Sequence, residues 1–160
     1  MISIIHPCPS RDLPRVWEWL SHFSKETLDS NAPKSLDEFL HSEAMCRMGG
    51  GKTFCIHNDD VMIGVIWVEN IGDGIGVGHL VFDPGHTIST SEKIQASKLV
   101  MKEIFQHFRK VMWAYFADNR AFHVFLRRMG AIEEGIFHQH VRRGSDFVDQ
   151  AWMASFPETK

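Results

Sequence analysis

The stretch from Met112 to Phe156 constrains the fold most, because several local signals follow one another there in a fixed order. Val111 to Ala117 is an apolar run of strand length, and Asp118-Asn119 stops it. Beyond Asn119, Phe122, Phe125, Leu126 and Met129 share one helical face, while Arg120, Arg127 and Arg128 fall largely on the other. Asp118 or Asn119 can cap the first turn of that helix, and Gly130 can take the left-handed conformation that closes it. Two further strands follow, joined at Arg143-Gly144-Ser145. Strand, helix and hairpin in succession point to a mixed α/β fold.

Length and composition set the frame around this stretch. A chain of 160 residues, 44% of them hydrophobic, suits a single domain over 1–160 with its own core. The formal net charge of -3 leaves no basic footprint, so a nucleic-acid partner is not favoured. Cys8, Cys46 and Cys55 are odd in number and lack metal-ligand spacing. They read as free thiols in a reducing compartment, hence a cytoplasmic protein. The opening MISIIHPCPS has no basic segment before it and is interrupted by Pro7 and Pro9, which favours a first strand over a signal peptide. No run reaches the roughly 20 apolar residues of a membrane helix.

Upstream of the constraining stretch, Leu13, Val16, Trp17, Leu20 and Phe23 predict a helix over Arg11 to Ser24, with Pro14 tolerated in its first turn. A second helix is predicted from Ser35 to Arg47, opened by the Ser35/Glu38 capping-box pattern. Gly49-Gly50-Gly51 then reads as a flexible connector. It is no phosphate-binding loop, since the preceding strand, the G-x-x-x-x-G-K-[ST] spacing and the following helix are missing. Strands follow at Lys52 to Asn58, Val61 to Glu69 and Ile75 to Phe82, where Gly76 and Gly78 mark a bulge or a close approach. Ser89 with Glu92 forms a capping box opening a helix from Thr90 to Arg109, whose apolar face is Ile94, Met101, Ile104, Phe105 and Phe108.

The order of a strand ending at Asn119, a helix, Gly130, the Glu134-Gly135 pair and a hairpin carrying Asp149 resembles the C-terminal half of GNAT acyltransferases. Within that superfamily it is most similar to the branch that acetylates ribosomal-protein and other N-termini. The resemblance implies a mixed, mostly antiparallel sheet flanked by helices, with a V-shaped splay between two parallel central strands. It implies acyl-CoA-dependent transfer of an acyl group, acetyl from acetyl-CoA, to a primary amine, a protein N-terminus or a small amine. Leu80, Val81 and Phe82 resemble the strand along which the pantetheine arm lies, opposite Ala114 to Asn119. Thr87, Ile88, Ser89, Thr90 and Ser91 occupy the place of the pyrophosphate loop, with no glycine or arginine. Asn119 and Phe122 complete the implied cofactor contacts. An anion there would rely on amides and the helix dipole.

Acyl transfer to an amine needs a base for the amine proton and an acid for the departing thiolate. The tyrosine that serves as acid in many relatives corresponds to Leu126, and the serine of the N-terminal branch to Phe122, so neither familiar acid is present. His79, Tyr115 and His123 are the substitutes close to the implied gap, and imidazole titrates near neutrality. His138-x-His140 places two imidazoles on one strand face, but a third ligand is not evident and no metal is expected. The alternative is a catalytically degenerate GNAT-fold binding or structural protein, of a phage type.

Overall fold

The computed structural model describes residues 1–22 and 32–157. Seven strands form one sheet in the order β1-β2-β3-β4-β5-β7-β6. In chain order these are β1 (Ile2–Ile5), β2 (Lys52–Asn58), β3 (Val61–Gly72), β4 (Ile75–Phe82), β5 (Lys110–Phe116), β6 (Ile132–Arg143) and β7 (Asp146–Ser155). Every neighbouring pair is antiparallel except β4 and β5. The helices are α1 (Leu13–Ser21), α2 (Leu36–Met48), α3 (Thr90–Ile104) and α4 (Arg120–Arg128). The expected mixed, mostly antiparallel architecture is therefore present.

Two apolar cores form on the sheet. One joins Phe54, Ile66, Val68, Trp113 and Tyr115 to the buried residues of α3 and to Leu126 of α4. The other joins Val65 and Val81 to Leu13, Val16 and Trp19 of α1 and Phe39 of α2. Alternation along β3 and β4 explains the division, because successive side chains point to opposite faces.

Several boundaries differ from the sequence reading. The helix expected over Arg11 to Ser24 runs Leu13–Ser21 behind a short 3-10 turn at Ser10–Asp12, and its expected end at Phe23-Ser24 lies outside the described residues. The α3 helix stops at Ile104, not Arg109. Its end tightens through bonds from the Gln106 amide to the Glu103 carbonyl (3.1 Å) and from the His107 amide to the Ile104 carbonyl (2.9 Å). Phe108 then enters the core from the following turn.

Gly49-Gly50-Gly51 is a fitted joint, not a plain flexible connector. Gly50 has φ +83, and a Cβ on Gly51 would lie 2.3 Å from Cys46 Sγ and 2.8 Å from the Val68 carbonyl. Gly78 serves close approach, while Gly76 sits beside the β3 register shift between Asn70 and Gly72 and is also closely packed, a Cβ there lying 2.2 Å from Val68. A Cβ on Gly78 would meet the Trp113 ring at 2.7 Å.

The expectation of three free thiols is overturned: Cys8 and Cys55 form a disulfide, S–S 1.99 Å, and only Cys46 is free. Cys8 follows the Pro7 turn and meets β2, a contact between residues 47 apart that sequence spacing does not reveal. The inference of a reducing compartment loses the basis it had in these two residues. No described helix is long and apolar enough to cross a membrane.

Candidate active site

The parallel strands β4 and β5 are paired only where Ile75, Gly76 and Val77 meet Lys110, Val111 and Met112. Beyond that point β3 holds β4 as far as Phe82, and β7 holds β5 as far as Phe116. The two strands diverge, each anchored on its outer side, and the backbone of Gly78–Phe82 facing β5 has no strand partner. A cleft of about 860 Å³ opens there and reaches α1 and α2 on one side and the starts of α3 and α4 on the other. The splay lies between the segments expected, Leu80–Phe82 and Ala114–Asn119.

His79 stands on the α1/α2 face of β4, two residues past the last β4–β5 pairing. The β3–β4 register sets it opposite Trp67, and the rings stack at 5.0 Å between centroids and 12° between planes. Glu69, the next residue on that face of β3, brings Oε1 to 3.0 Å from His79 Nε2. The two groups are close without a directed hydrogen bond, and Nε2 has no hydrogen-bond partner among the described residues; with the hydrogen on Nε2, the lone pair falls on Nδ1. The adjacent His79 ring holds the Glu69 carboxyl below its ordinary range, more than partial burial raises it.

Tyr115 faces the cleft from β5, and its hydroxyl lies 2.7 Å from His123 Nδ1. The link from β5 to α4 is only Ala117–Asn119, and that short step carries the His123 side chain back over Tyr115. On the far side of the ring, His123 Nε2 is 3.4 Å from Glu133 Oε1 of β6. Burial, and then the charge of Glu133, push the Tyr115 phenol up, which keeps it protonated at neutral pH. Phe122 packs edge-on against Tyr115 at 5.6 Å. Leu126 is fully buried in the core and has no acid to offer.

Asn119 caps α4, its Oδ1 accepting from the Phe122 amide at 3.1 Å, and it also lines the cleft. At the start of α3 the capping box is complete: Ser89 Oγ accepts from the Glu92 amide at 3.2 Å, while Glu92 Oε2 accepts from the Ser89 amide at 2.8 Å. Those bonds, led by the Ser89 hydroxyl, lower the Glu92 carboxyl. The first amides of a helix have no intrahelical acceptor, so those of Thr90 and Ser91 remain for an anion.

The structure brings together His79, Leu80, Val81, Phe82, Thr90, Tyr115, Asn119 and Phe122 around one cleft. Ile88 instead packs on the core, Thr87, Ser89 and Ser91 lie outside the lining, and His123 stands behind Tyr115. The residues that sequence reasoning missed are Glu69, Glu133 and Trp67. Counting back from the Asp73-Gly74 turn would set Val68 across from His79; the register shift between Asn70 and Gly72 brings Trp67 there instead, with Glu69 diagonal to it, and no local signal marks that shift. Glu133 had no local signal either.

The shared face expected for His138 and His140 is broken, because Gln139 has φ 47 and the β6–β7 register shifts between Phe137 and Val141. His138 Nδ1 pairs with Asp149 at 3.0 Å while His140 lies against Phe137. No cluster of three or more metal-ligating side chains occurs among the described residues.

No family model matches this chain, and no curated protein matches it either. Solved structures do. A ribosomal-protein-S5-alanine acetyltransferase from Vibrio fischeri superposes with a TM-score of 0.77 at 13% identity, over 98% of this chain and 93% of that one. A ribosomal L7/L12 alpha-N-protein acetyltransferase in complex with coenzyme A gives 0.80 at 16% identity, over 97% and 93%. The spermidine N-acetyltransferase from Vibrio cholerae in complex with CoA and spermine gives 0.81 at 13% identity, over 97% and 95%. At such identities the likeness defines the fold, and this chain has the fold of the GNAT acetyltransferases.

Proposed function

We propose that this protein is an acyl-CoA-dependent N-acyltransferase that moves an acetyl group to a primary amine by direct transfer. The observation that carries this reading is one cleft, at the β4–β5 splay, with a paired imidazole on one wall and a phenol backed by an imidazole on the other. The open β4 edge over Leu80–Phe82 fits an extended pantetheine arm adding as a strand. At the other end, the Thr90 and Ser91 amides with Lys93 offer the pyrophosphate its donors, and the Glu92 carboxylate opposes them.

Bound acetyl-CoA supplies a thioester whose carbonyl carbon accepts the amine nitrogen, so that a C–N bond forms and the C–S bond breaks. His79 Nδ1 takes the proton lost by the amine, and Glu69 stabilises the resulting imidazolium. Tyr115 gives its hydroxyl proton toward the departing sulfur. When His123 is an imidazolium, its Nδ1–H donates to the Tyr115 oxygen and restores that proton, with Glu133 holding the charge.

The alternative, a binding protein without catalysis, is less favoured. What supports catalysis is an open cleft lined by His79, beside Glu69, and by Tyr115, bonded to His123. The test is acetyl-CoA-dependent acetylation of an amine panel, read by product mass. Turnover that falls about a hundredfold in folded His79→Ala supports the base assignment. Undiminished turnover removes His79 from the mechanism.

A further inference from the structure

The half of the cleft that faces α1 and α2 is built differently from the half that meets α3. Trp17 of α1 lies 6.0 Å from Phe39 of α2, Phe39 lies 6.5 Å from Trp67 of β3, and Trp67 stacks on His79. These rings form a continuous aromatic run from α1 to the candidate base, and all of them line the cleft. Lys93 is the one lysine or arginine in the described lining, and it stands over the Phe82 ring toward the α3 end. Among the described residues the aromatic half therefore offers no lysine or arginine to a substrate carboxylate.

Its carboxylates are unequal. Glu43 is buried and held by Arg47 Nε and Thr53 Oγ1, each at 2.6 Å. Asp83 is held by Arg15 at 3.1 Å and by the Gly85 amide at 2.8 Å. Among the described residues Glu69 has only His79 beside it, and its side chain is 47% exposed. One carboxylate with spare acceptor capacity beside an aromatic wall suits one ammonium group. A polyamine would bring further charges that find no other free carboxylate among the described lining residues.

We propose that the acceptor is a singly charged primary amine on a flat apolar body, an arylalkylamine, held against Trp17, Phe39 and Trp67 with its ammonium at Glu69. This assignment rests on the acyltransfer reading and narrows it. The ring run orients the apolar body, and Glu69 brings the nitrogen beside His79.

The experiment compares 2-phenylethylamine, spermidine and a peptide with an N-terminal alanine. Each is titrated by calorimetry into the CoA-saturated protein and assayed for acetylation by mass. The expected result is binding and kcat/KM for 2-phenylethylamine at least about tenfold better than for spermidine or the peptide. Trp67→Ala should weaken 2-phenylethylamine binding by about 3- to 30-fold. Trp17→Ala provides a second variant on a separate element, and thermal melting confirms that each is folded.

Spermidine or the peptide equalling 2-phenylethylamine overturns the proposal, as does an unchanged response in the folded tryptophan variants, or no binding of any amine. A clear preference in binding with no acetylation of any amine keeps the pocket assignment and overturns the acyltransfer reading instead.

Discussion

Tyr115 and His123 form a hydrogen-bonded pair, hydroxyl to Nδ1 at 2.7 Å, and in the proposed mechanism each depends on the other. Removing the hydroxyl in Tyr115→Phe should lower kcat by about a hundredfold and leave KM nearly unchanged, as expected for a group used in proton transfer. His123→Ala in the Tyr115→Phe background should add little, since the two act as a unit. Full additivity in that double variant would contradict the relay. Glu69 makes a separate prediction through pH. Its carboxyl is held below the ordinary glutamate value of 4.5, chiefly by the adjacent His79. A depressed carboxyl stabilises the fold above its unfolded value, and that stability is lost as pH falls through the folded value. Melting temperature should therefore drop less between about pH 5 and about pH 3 in Glu69→Gln than in the parent protein. An equal drop would show that the pair contributes nothing to acid sensitivity.

At the scale of elements, α3 shows a competition between folding and ligand binding at one helix end. The Ser89/Glu92 box satisfies two amides and fixes the helix start, but it places a carboxylate at the end that would hold phosphates. Glu92→Gln should tighten CoA about two- to fivefold at low salt, by removing a like charge near the phosphates. Weaker CoA binding in that variant would mean that the helix start matters more than its charge. The capping box and the full span of β4 were legible in sequence, because each is written in contiguous residues whose spacing is diagnostic. The end of α3 was not, since no glycine or proline marks the turn after Ile104 and the burial of Phe108 decides it. Nor was the Gln139 irregularity in β6, where a side chain with no turn signal adopts φ 47.

For the whole molecule, the parallel pairing of β4 with β5 is confined to three residues on each strand, and the cleft exists because it ends there. Sequence similarity in the last third anticipated that splay. The partners across it, Glu69 with His79 and Glu133 with His123, depended on strand register and long-range packing that local pattern does not encode. The Cys8–Cys55 bond between the start of the chain and β2 escaped for the same reason.

The measurement that tests the central claim most directly is a calorimetric titration of acetyl-CoA and CoA, paired with a thermal shift. A ligand that binds only the folded state must raise its stability. The account predicts micromolar affinity with a matching rise in melting temperature. It also predicts weaker binding in Asn119→Ala, which costs α4 its cap, about 1 kcal/mol. No binding and no shift at millimolar CoA would contradict it.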